Sequence, residues 1–148
     1  MLTLKDSILI EASTDAVEEW LLNIDRHYAE WHPDHVRWVN LDGALGEGKT
    51  FYYEEFLHGR LYKSKCAITR LARGDGAVVE FKGLSLVDRV LGVGGSFIIE
   101  PRGGRSMVTA TINLRFGRLV PLLAGGIVRD LERHMKEEGE SLKRILES

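Results

Sequence analysis

Residues 129–147, RDLERHMKEEGESLKRILE, decide the fold of this chain, because the helix that they predict needs a large apolar surface to cover it. Apolar residues recur three and four positions apart from about Leu119, which predicts one long helix ending near Glu147. At about 100° per residue, its buried stripe contains Val120, Ala124, Ile127, Leu131, Leu142 and Ile145. Glu138 falls in the middle of this stripe and His134 falls at its edge. The sequence therefore predicts a helix that buries a carboxylate and an imidazole one turn apart.

Short strands separated by turns precede this helix. The pattern predicts a strand over residues 2–12, a helix over 13–23, a second short helix that stops before Pro33, and then about six strands. The last strand, SMVTATINLRF (106–116), alternates between apolar and polar residues, as an antiparallel strand with one exposed face does. These elements indicate a single α+β domain over residues 1–148. We expect a curved sheet to cover the C-terminal helix and to leave an internal cavity.

The composition excludes several classes of protein. The chain has 148 residues and a net charge of -2, so no basic field indicates a nucleic-acid partner. Cys66 is the single cysteine, which excludes an internal disulfide and a thiolate zinc site and favours a reducing, cytoplasmic setting. The first residues, MLTLKDSILIEA, lack the apolar core of a signal peptide. No apolar run approaches the ~18 residues of a membrane span.

The acid on the buried stripe needs compensation. An unpaired buried carboxylate costs several kcal/mol or stays protonated. His134 and Glu138 are four residues apart, so their side chains point the same way and can share one metal ion. A plain hydrogen bond across one turn, or a helix that leaves the core near its end, explains the same spacing.

Two other segments offer further ligands. EWHPDH (30–35) places His32 and His35 around a proline between a helix and a strand, and such connections often carry sites. FYYEEFLHG (51–59) carries Glu54 and Glu55, of which one faces inward, because adjacent strand residues point to opposite faces. The pattern favours Glu55 without excluding Glu54.

Together the three segments predict a metal site with two nitrogen and two oxygen ligands. Such ligands suit zinc, and they also suit other divalent metals such as manganese or iron. The candidate ligands are His35 or His32, Glu55 or Glu54, His134 and Glu138.

Several stretches resemble the START-like, birch-pollen-allergen-like superfamily, which includes polyketide cyclases and lipid carriers. They are SILIEASTDAVEEWLLNID (7–25), YAEWHP (28–33), GEGKTFYYEE (46–55) and the long final helix. The resemblance implies a helix-grip fold, in which a seven-stranded antiparallel sheet wraps around the C-terminal helix and encloses a deep apolar cavity. It also implies a small apolar or aromatic ligand as the partner.

The ligand set is similar to the metal site of the diacetylphloroglucinol hydrolases, zinc-dependent members of this superfamily that cleave a carbon–carbon bond in an aryl ketone. This resemblance implies a zinc-dependent hydrolase acting on a small phenolic or polyketide-like ketone. A residue that does not bind the metal would act as acid or base, with His32 and Glu54 as candidates. Tyr53 or Tyr62 would orient a phenol.

Two other functions fit the same residues. In a non-catalytic carrier of an apolar ligand, His134 and Glu138 would only satisfy each other in the cavity wall. In a metal-free polyketide cyclase or dehydratase, histidine and glutamate would act as acid and base. The oligomeric state is open, with a homodimer as one option.

Overall fold

The computed structural model describes residues 2–115 and 125–148. In these ranges the chain forms one antiparallel sheet and four helices. The strands are β1 (Leu2–Ile10), β2 (His35–Asn40), β3 (Thr50–Leu57), β4 (Arg60–Gly74), β5 (Gly76–Gly83), β6 (Gly94–Arg102) and β7 (Arg105–Leu114). The helices are α1 (Thr14–Leu22), α2 (Ile24–Trp31), α3 (Leu86–Leu91) and α4 (Gly125–Glu147).

The seven strands pair in the order β1-β7-β6-β5-β4-β3-β2, and neighbouring strands are antiparallel. Strands β2 to β7 follow chain order, whereas β1 pairs with β7, from Leu2 beside Leu114 to Ile10 beside Ser106. Helices α1 and α2 make the connection from β1 to β2, and α4 contacts β1, β3 and α2. This arrangement confirms the predicted α+β helix-grip fold, a seven-stranded sheet around the C-terminal helix.

The connection between α2 and β2 follows from Pro33. The residue before a proline avoids helical backbone angles, and His32 is extended, with φ at -148° and ψ at 143°. Helix α2 therefore ends at Trp31, as the sequence predicts. The peptide N–H of His35 donates to the carbonyl oxygen of His32 at 3.0 Å and closes the turn. Both histidines of the EWHPDH motif are thus held in one short connection.

Helix α4 buries one face against the sheet. Leu131 and Met135 pack with Leu4 of β1, and Leu142 belongs to the main core. Ile127, however, is 43% exposed, so its predicted place in the buried stripe is wrong. The start of α4 instead packs through Val128 against the cluster of Leu4, Leu131 and Met135.

Part of the predicted helix and strand pattern lies outside the described residues. This applies to the predicted helix start near Leu119, to Val120 and Ala124 in the stripe, and to Phe116 at the end of the last strand. Among the helices in residues 2–115 and 125–148, none is long and apolar enough to cross a membrane.

Candidate functional site

A cavity of about 140 Å³ lies between the sheet and α4. This is roughly the space that accommodates a benzene-sized molecule. Its wall is mostly apolar and aromatic, with side chains that include Trp31, Trp38, Phe51, Phe81, Phe97, Leu131 and Met135. Its polar side chains are Glu55, Glu138, His134, Tyr28, Tyr53, Ser96 and Thr111. An apolar chamber with a few convergent polar groups is typical of small-molecule sites.

Helix α4 carries two of the predicted ligands to this wall. Nε2 of His134 lies 3.4 Å from Oε1 of Glu138, one helical turn away, and the two side chains are 6% and 19% exposed. Trp31 holds the helix at this point, because its indole N–H donates to the backbone oxygen of Glu138 at 2.9 Å. An imidazole and a carboxylate therefore lie side by side at the cavity.

Strand β2 adds His35, whose side chain is fully buried. Its Nδ1 lies 2.8 Å from the backbone oxygen of Tyr28, and since a carbonyl can only accept, Nδ1 carries a proton. In the neutral imidazole, Nε2 then presents a lone pair, and it lies 2.9 Å from Oε2 of Glu138. A lone pair that faces a carboxylate oxygen is unfavourable unless a proton or a metal ion lies between them.

Strand β3 supplies Glu55 as the fourth member. Glu55 is the cross-strand partner of His35. Its Oε2 lies 3.6 Å from Nε2 of His35 and 3.4 Å from Nε2 of His134. The hydroxyl of Tyr28 donates to the same oxygen at 2.9 Å, which fixes the carboxylate. We call His35, Glu55, His134 and Glu138 the His–Glu cluster.

The spacing of His35, His134 and Glu138 suits a divalent metal, because one ligand atom of each lies within 4.8 Å of the others. Glu55 approaches the same two imidazole nitrogens. Zinc with bonds of about 2.0–2.1 Å holds tetrahedral ligand atoms about 3.3 Å apart. Three nitrogen–oxygen separations in the cluster are 3.4, 3.4 and 3.6 Å, and the fourth, between His35 and Glu138, is 2.9 Å. Nitrogen and oxygen donors in this number fit zinc, manganese or iron.

The charges of the cluster compensate one another. Burial opposes protonation of His134, but the carboxylates of Glu138 and Glu55 outweigh it and raise the pKa of His134 to about 10. Burial also opposes ionisation of Glu138, but His134 and His35 lower the pKa of its carboxyl to about 2. In the metal-free protein, His134 is therefore an imidazolium at neutral pH, and its charge takes the place of a cation between two carboxylates.

His32 lies behind His134, outside the cavity wall. The two rings are 4.2 Å apart, and the His32 residue is 5% exposed. Its Nδ1 accepts the backbone N–H of Asp34 at 3.0 Å. Its Nε2 makes no hydrogen bond to any described residue and lies 3.7 Å from a Glu137 carboxylate oxygen. Burial and the neighbouring His134 and His35 lower the pKa of His32.

Glu54, a predicted catalytic residue, is not brought into the cluster. It neighbours Glu55 along β3 and lies on the other face of the strand, outside the cavity wall. There its carboxylate accepts the Tyr52 hydroxyl at 2.7 Å. The register of β3 against His35 thus brings the favoured Glu55 to the cluster and leaves Glu54 outside it.

The two candidate tyrosines have different surroundings. Tyr53 lines the cavity, and burial together with the Glu55 charge raises its pKa well above the usual value, so its hydroxyl stays protonated. Tyr62 lies 6.0 Å from Tyr53 between ring centroids, but its hydroxyl donates to Asp88 at 2.7 Å. Ser64 donates to the other oxygen of Asp88 at 2.8 Å. We call Tyr62, Ser64 and Asp88 the Asp88 cluster.

Sequence reasoning missed three polar residues around these clusters. Tyr28 fixes both His35 and Glu55, but a tyrosine on an amphipathic helix gives no signal beyond core packing. Asp34 lies in the EWHPDH motif beside the two histidines and faces His134. Asp88 is 3% exposed and is the only acid in the apolar segment LSLVDRVL (84–91), so the reasoning that singled out Glu138 would also have found it.

Comparisons with known proteins agree with this architecture. A model of the family described as polyketide cyclase/dehydrase and lipid transport matches residues 1–147. A point mutant of norcoclaurine synthase from Thalictrum flavum, in complex with a transition-state analogue, superposes with a TM-score of 0.76 at 8% identity, over 98% of this chain and 93% of that chain. The ZhuI aromatase/cyclase from Streptomyces sp. R1128 superposes with a TM-score of 0.70 at 16% identity, over 99% and 93%.

A hypothetical protein from Helicobacter pylori also superposes, with a TM-score of 0.77 at 11% identity, over 98% of this chain and 88% of that chain. No curated protein matches the sequence. At these identities, the likeness to solved structures shows the fold alone.

Proposed function

We propose that this chain, which belongs to the polyketide cyclase/dehydrase and lipid transport family, is a metal-dependent hydrolase of a small phenolic or polyketide-like ketone, with zinc as the metal. The observation that carries the proposal is the approach of two imidazole nitrogens to two carboxylates beside the cavity. In particular, the protonated Nδ1 of His35 leaves Nε2 directed at Glu138, as a metal-ligating histidine requires.

The cavity fits a single aromatic ring with short substituents. Its volume of about 140 Å³ and its aromatic walls favour a flat apolar ligand. The Tyr53 hydroxyl, which remains protonated, would donate a hydrogen bond to a phenol or ketone oxygen. Ser96 and Thr111, adjacent on β6 and β7, offer further hydroxyls on the sheet side of the same cavity.

The proposed reaction is hydrolysis of the bond between a ring carbon and an acyl carbon. Water supplies a hydroxyl to the acyl carbon, the bond electrons pass to the ring carbon, and a proton completes the ring. The products are a carboxylic acid and the deacylated phenol. A bound divalent ion supplies Lewis-acid polarisation of a carbonyl or water. His35, Glu55, His134 and Glu138 would hold it, and Tyr53 would orient the substrate.

Metal analysis of the purified chain, combined with assays on a panel of aryl ketones, tests the proposal. We expect about one zinc per chain, loss of that zinc in His134→Ala, and aryl-ketone cleavage that stops in chelator and returns with zinc. His27→Ala is the matched control, because His27 stacks on Trp20 outside the cluster. A zinc-free protein that does not take up added zinc, or His134→Ala with unchanged zinc content, contradicts the proposal.

A metal-free cyclase or dehydratase is the second candidate. The imidazolium of His134 lies next to the ionised Glu138 at the cavity, so the cluster offers an acid and a base without any metal. The family description also includes cyclases and dehydrases. Activity that persists in chelator favours this candidate, whereas chelator-sensitive activity favours the hydrolase.

A carrier role rests on the apolar lining of the same cavity. An apolar molecule that co-purifies with metal-free, inactive protein would favour it, and native mass spectrometry detects such a molecule.

The cytoplasmic location and the homodimer stay predictions.

A further inference from the structure

We infer that Asp34 is a positioning residue for the proposed metal site: its carboxylate accepts the Nδ1 proton of His134 and thereby directs Nε2 of His134 to the metal. The inference rests on the proposed metal-binding function. The observation behind this inference is that Nδ1 of His134 is buried, has no hydrogen-bond partner in residues 2–115 and 125–148, and lies 3.7 Å from Oδ2 of Asp34.

The chemistry of a ligating imidazole requires such an acceptor. When one ring nitrogen binds a metal, the other carries a proton and donates it to a carboxylate or a backbone oxygen. His35 meets this need through the backbone oxygen of Tyr28 at 2.8 Å. His134 lies on a helix, where the neighbouring backbone oxygens are used by the helix itself. Its acceptor must therefore come from a side chain of another element.

The EWHPDH motif places Asp34 for this role. The backbone of Asp34 is fixed at both ends, since its N–H donates to Nδ1 of His32 at 3.0 Å and its carbonyl oxygen accepts the N–H of Phe56 at 2.8 Å. Its side chain makes no hydrogen bond in the described structure and is 50% exposed, so it can rotate toward His134. A closure of less than about 1 Å brings the 3.7 Å separation into hydrogen-bond range.

A second metal site made of His32, Asp34 and His134 is the competing explanation for the same juxtaposition. The tautomer of His32 argues against it. Because Nδ1 of His32 accepts the N–H of Asp34, its lone pair is used, and in the neutral ring the proton lies on Nε2. Neither nitrogen is then free to bind a cation. Asp34 and His32 therefore lie beside the ligands of one metal site and do not bind the ion themselves.

Zinc titration of the full chain in competition with a chelating indicator tests this inference. We expect zinc to bind Asp34→Ala about 10–100-fold more weakly than the wild type. Asp34→Asn keeps a neutral acceptor oxygen and should lie between the two. Glu137→Gln is the matched control, because it removes one charge near His32 without facing Nδ1 of His134, and we expect wild-type affinity.

Each outcome has a distinct meaning. Wild-type affinity in Asp34→Ala, or an equal loss in Glu137→Gln, overturns the role of Asp34 and leaves the proposed function standing. A wild-type chain that binds no zinc overturns the proposed function itself. Two zinc ions per wild-type chain, falling to one in Asp34→Ala, would make Asp34 a ligand and also overturn the inference.

In the zinc-loaded wild type, nitrogen-15 NMR should show a protonated Nδ1 on His134, and this signal should exchange faster with water in Asp34→Ala.

Discussion

The His–Glu cluster and the Asp88 cluster are both buried groups of polar side chains beside the same sheet, yet they differ in how their atoms are paired. Asp88 accepts one hydroxyl on each oxygen, from Tyr62 at 2.7 Å and from Ser64 at 2.8 Å. In the His–Glu cluster, neither nitrogen of His134 has a hydrogen-bond partner among the residues that the structure describes. A fully paired buried network holds structure together, whereas unpaired buried groups call for a ligand or a chemical role. We therefore expect the Asp88 cluster to stabilise the fold and the His–Glu cluster to carry the proposed function.

The largest effect should follow from removing a proposed ligand. His134→Ala deletes one of the four proposed ligands. We therefore expect zinc affinity to fall by more than the ~100-fold expected when a hydrogen-bond partner of a ligand is lost. The same titration on Ser64→Ala, in the Asp88 cluster, should give wild-type affinity. Equal zinc binding by wild type and His134→Ala would remove the distinction between the clusters.

The second effect concerns the stability of the Asp88 cluster. Asp88→Ala leaves the buried hydroxyl of Ser64 and the half-buried hydroxyl of Tyr62 without their acceptor. The free energy of unfolding should therefore fall by about 3 kcal/mol. Urea denaturation of the metal-free protein measures this change. Zinc affinity should stay at the wild-type value, and a loss of zinc binding without a loss of stability would reverse the assignment.

A smaller effect concerns the packing that allows Asp88 to reach the sheet. A methyl group at Gly83 would lie 2.5 Å from Cβ of Asp88, so Gly83→Ala should cost about 2 kcal/mol of unfolding free energy. Gly74→Ala is the matched control, because the added methyl would meet no atom of the described part of the chain within 4 Å. Similar denaturation midpoints for both variants would show that α3 can shift away from β5 without cost.

The last effect is a pH dependence confined to the His–Glu cluster. His134, with a pKa near 10, must lose its proton before Nε2 binds a metal, whereas Glu138, with a pKa near 2, is already ionised. Zinc affinity should therefore rise about tenfold per pH unit between roughly pH 6 and 8. Calorimetry in buffers with different ionisation enthalpies counts the released proton. An affinity that is flat over this range contradicts the imidazolium assignment.

Much of the fold can be predicted from the sequence, because hydrophobic periodicity and the residues that form turns act locally. The extended His32 before Pro33 and the anomalous burial of Glu138 both follow from neighbouring residues. Periodicity does not fix where a helix meets its partner surface, and so the prediction that Ile127 is buried was wrong.

The site was less predictable because it depends on register between distant segments. Strand alternation shows that one of Glu54 and Glu55 faces inward, but only the pairing of Glu55 with His35 brings a carboxylate to the imidazole. Likewise, backbone hydrogen bonds decide which of His32 and His35 can present a free nitrogen to a metal. The N–H of Asp34 uses the lone pair on Nδ1 of His32. The carbonyl oxygen of Tyr28 accepts the Nδ1 proton of His35 and leaves Nε2 available. No spacing in the sequence records these hydrogen bonds.

The His–Glu cluster links β2 and β3 to α4 through side-chain contacts, and this has a consequence for the order in which the protein folds. His35 and Glu138 are 103 positions apart, and the segments with His35 and Glu55 leave the ribosome well before α4 does. A nascent chain without α4 would hold at most half of the His–Glu cluster and would have little affinity for the ion. Because binding requires the docked helix, the ion would tighten the final step of folding rather than guide the first ones. Zinc retention would then gauge how complete the fold is.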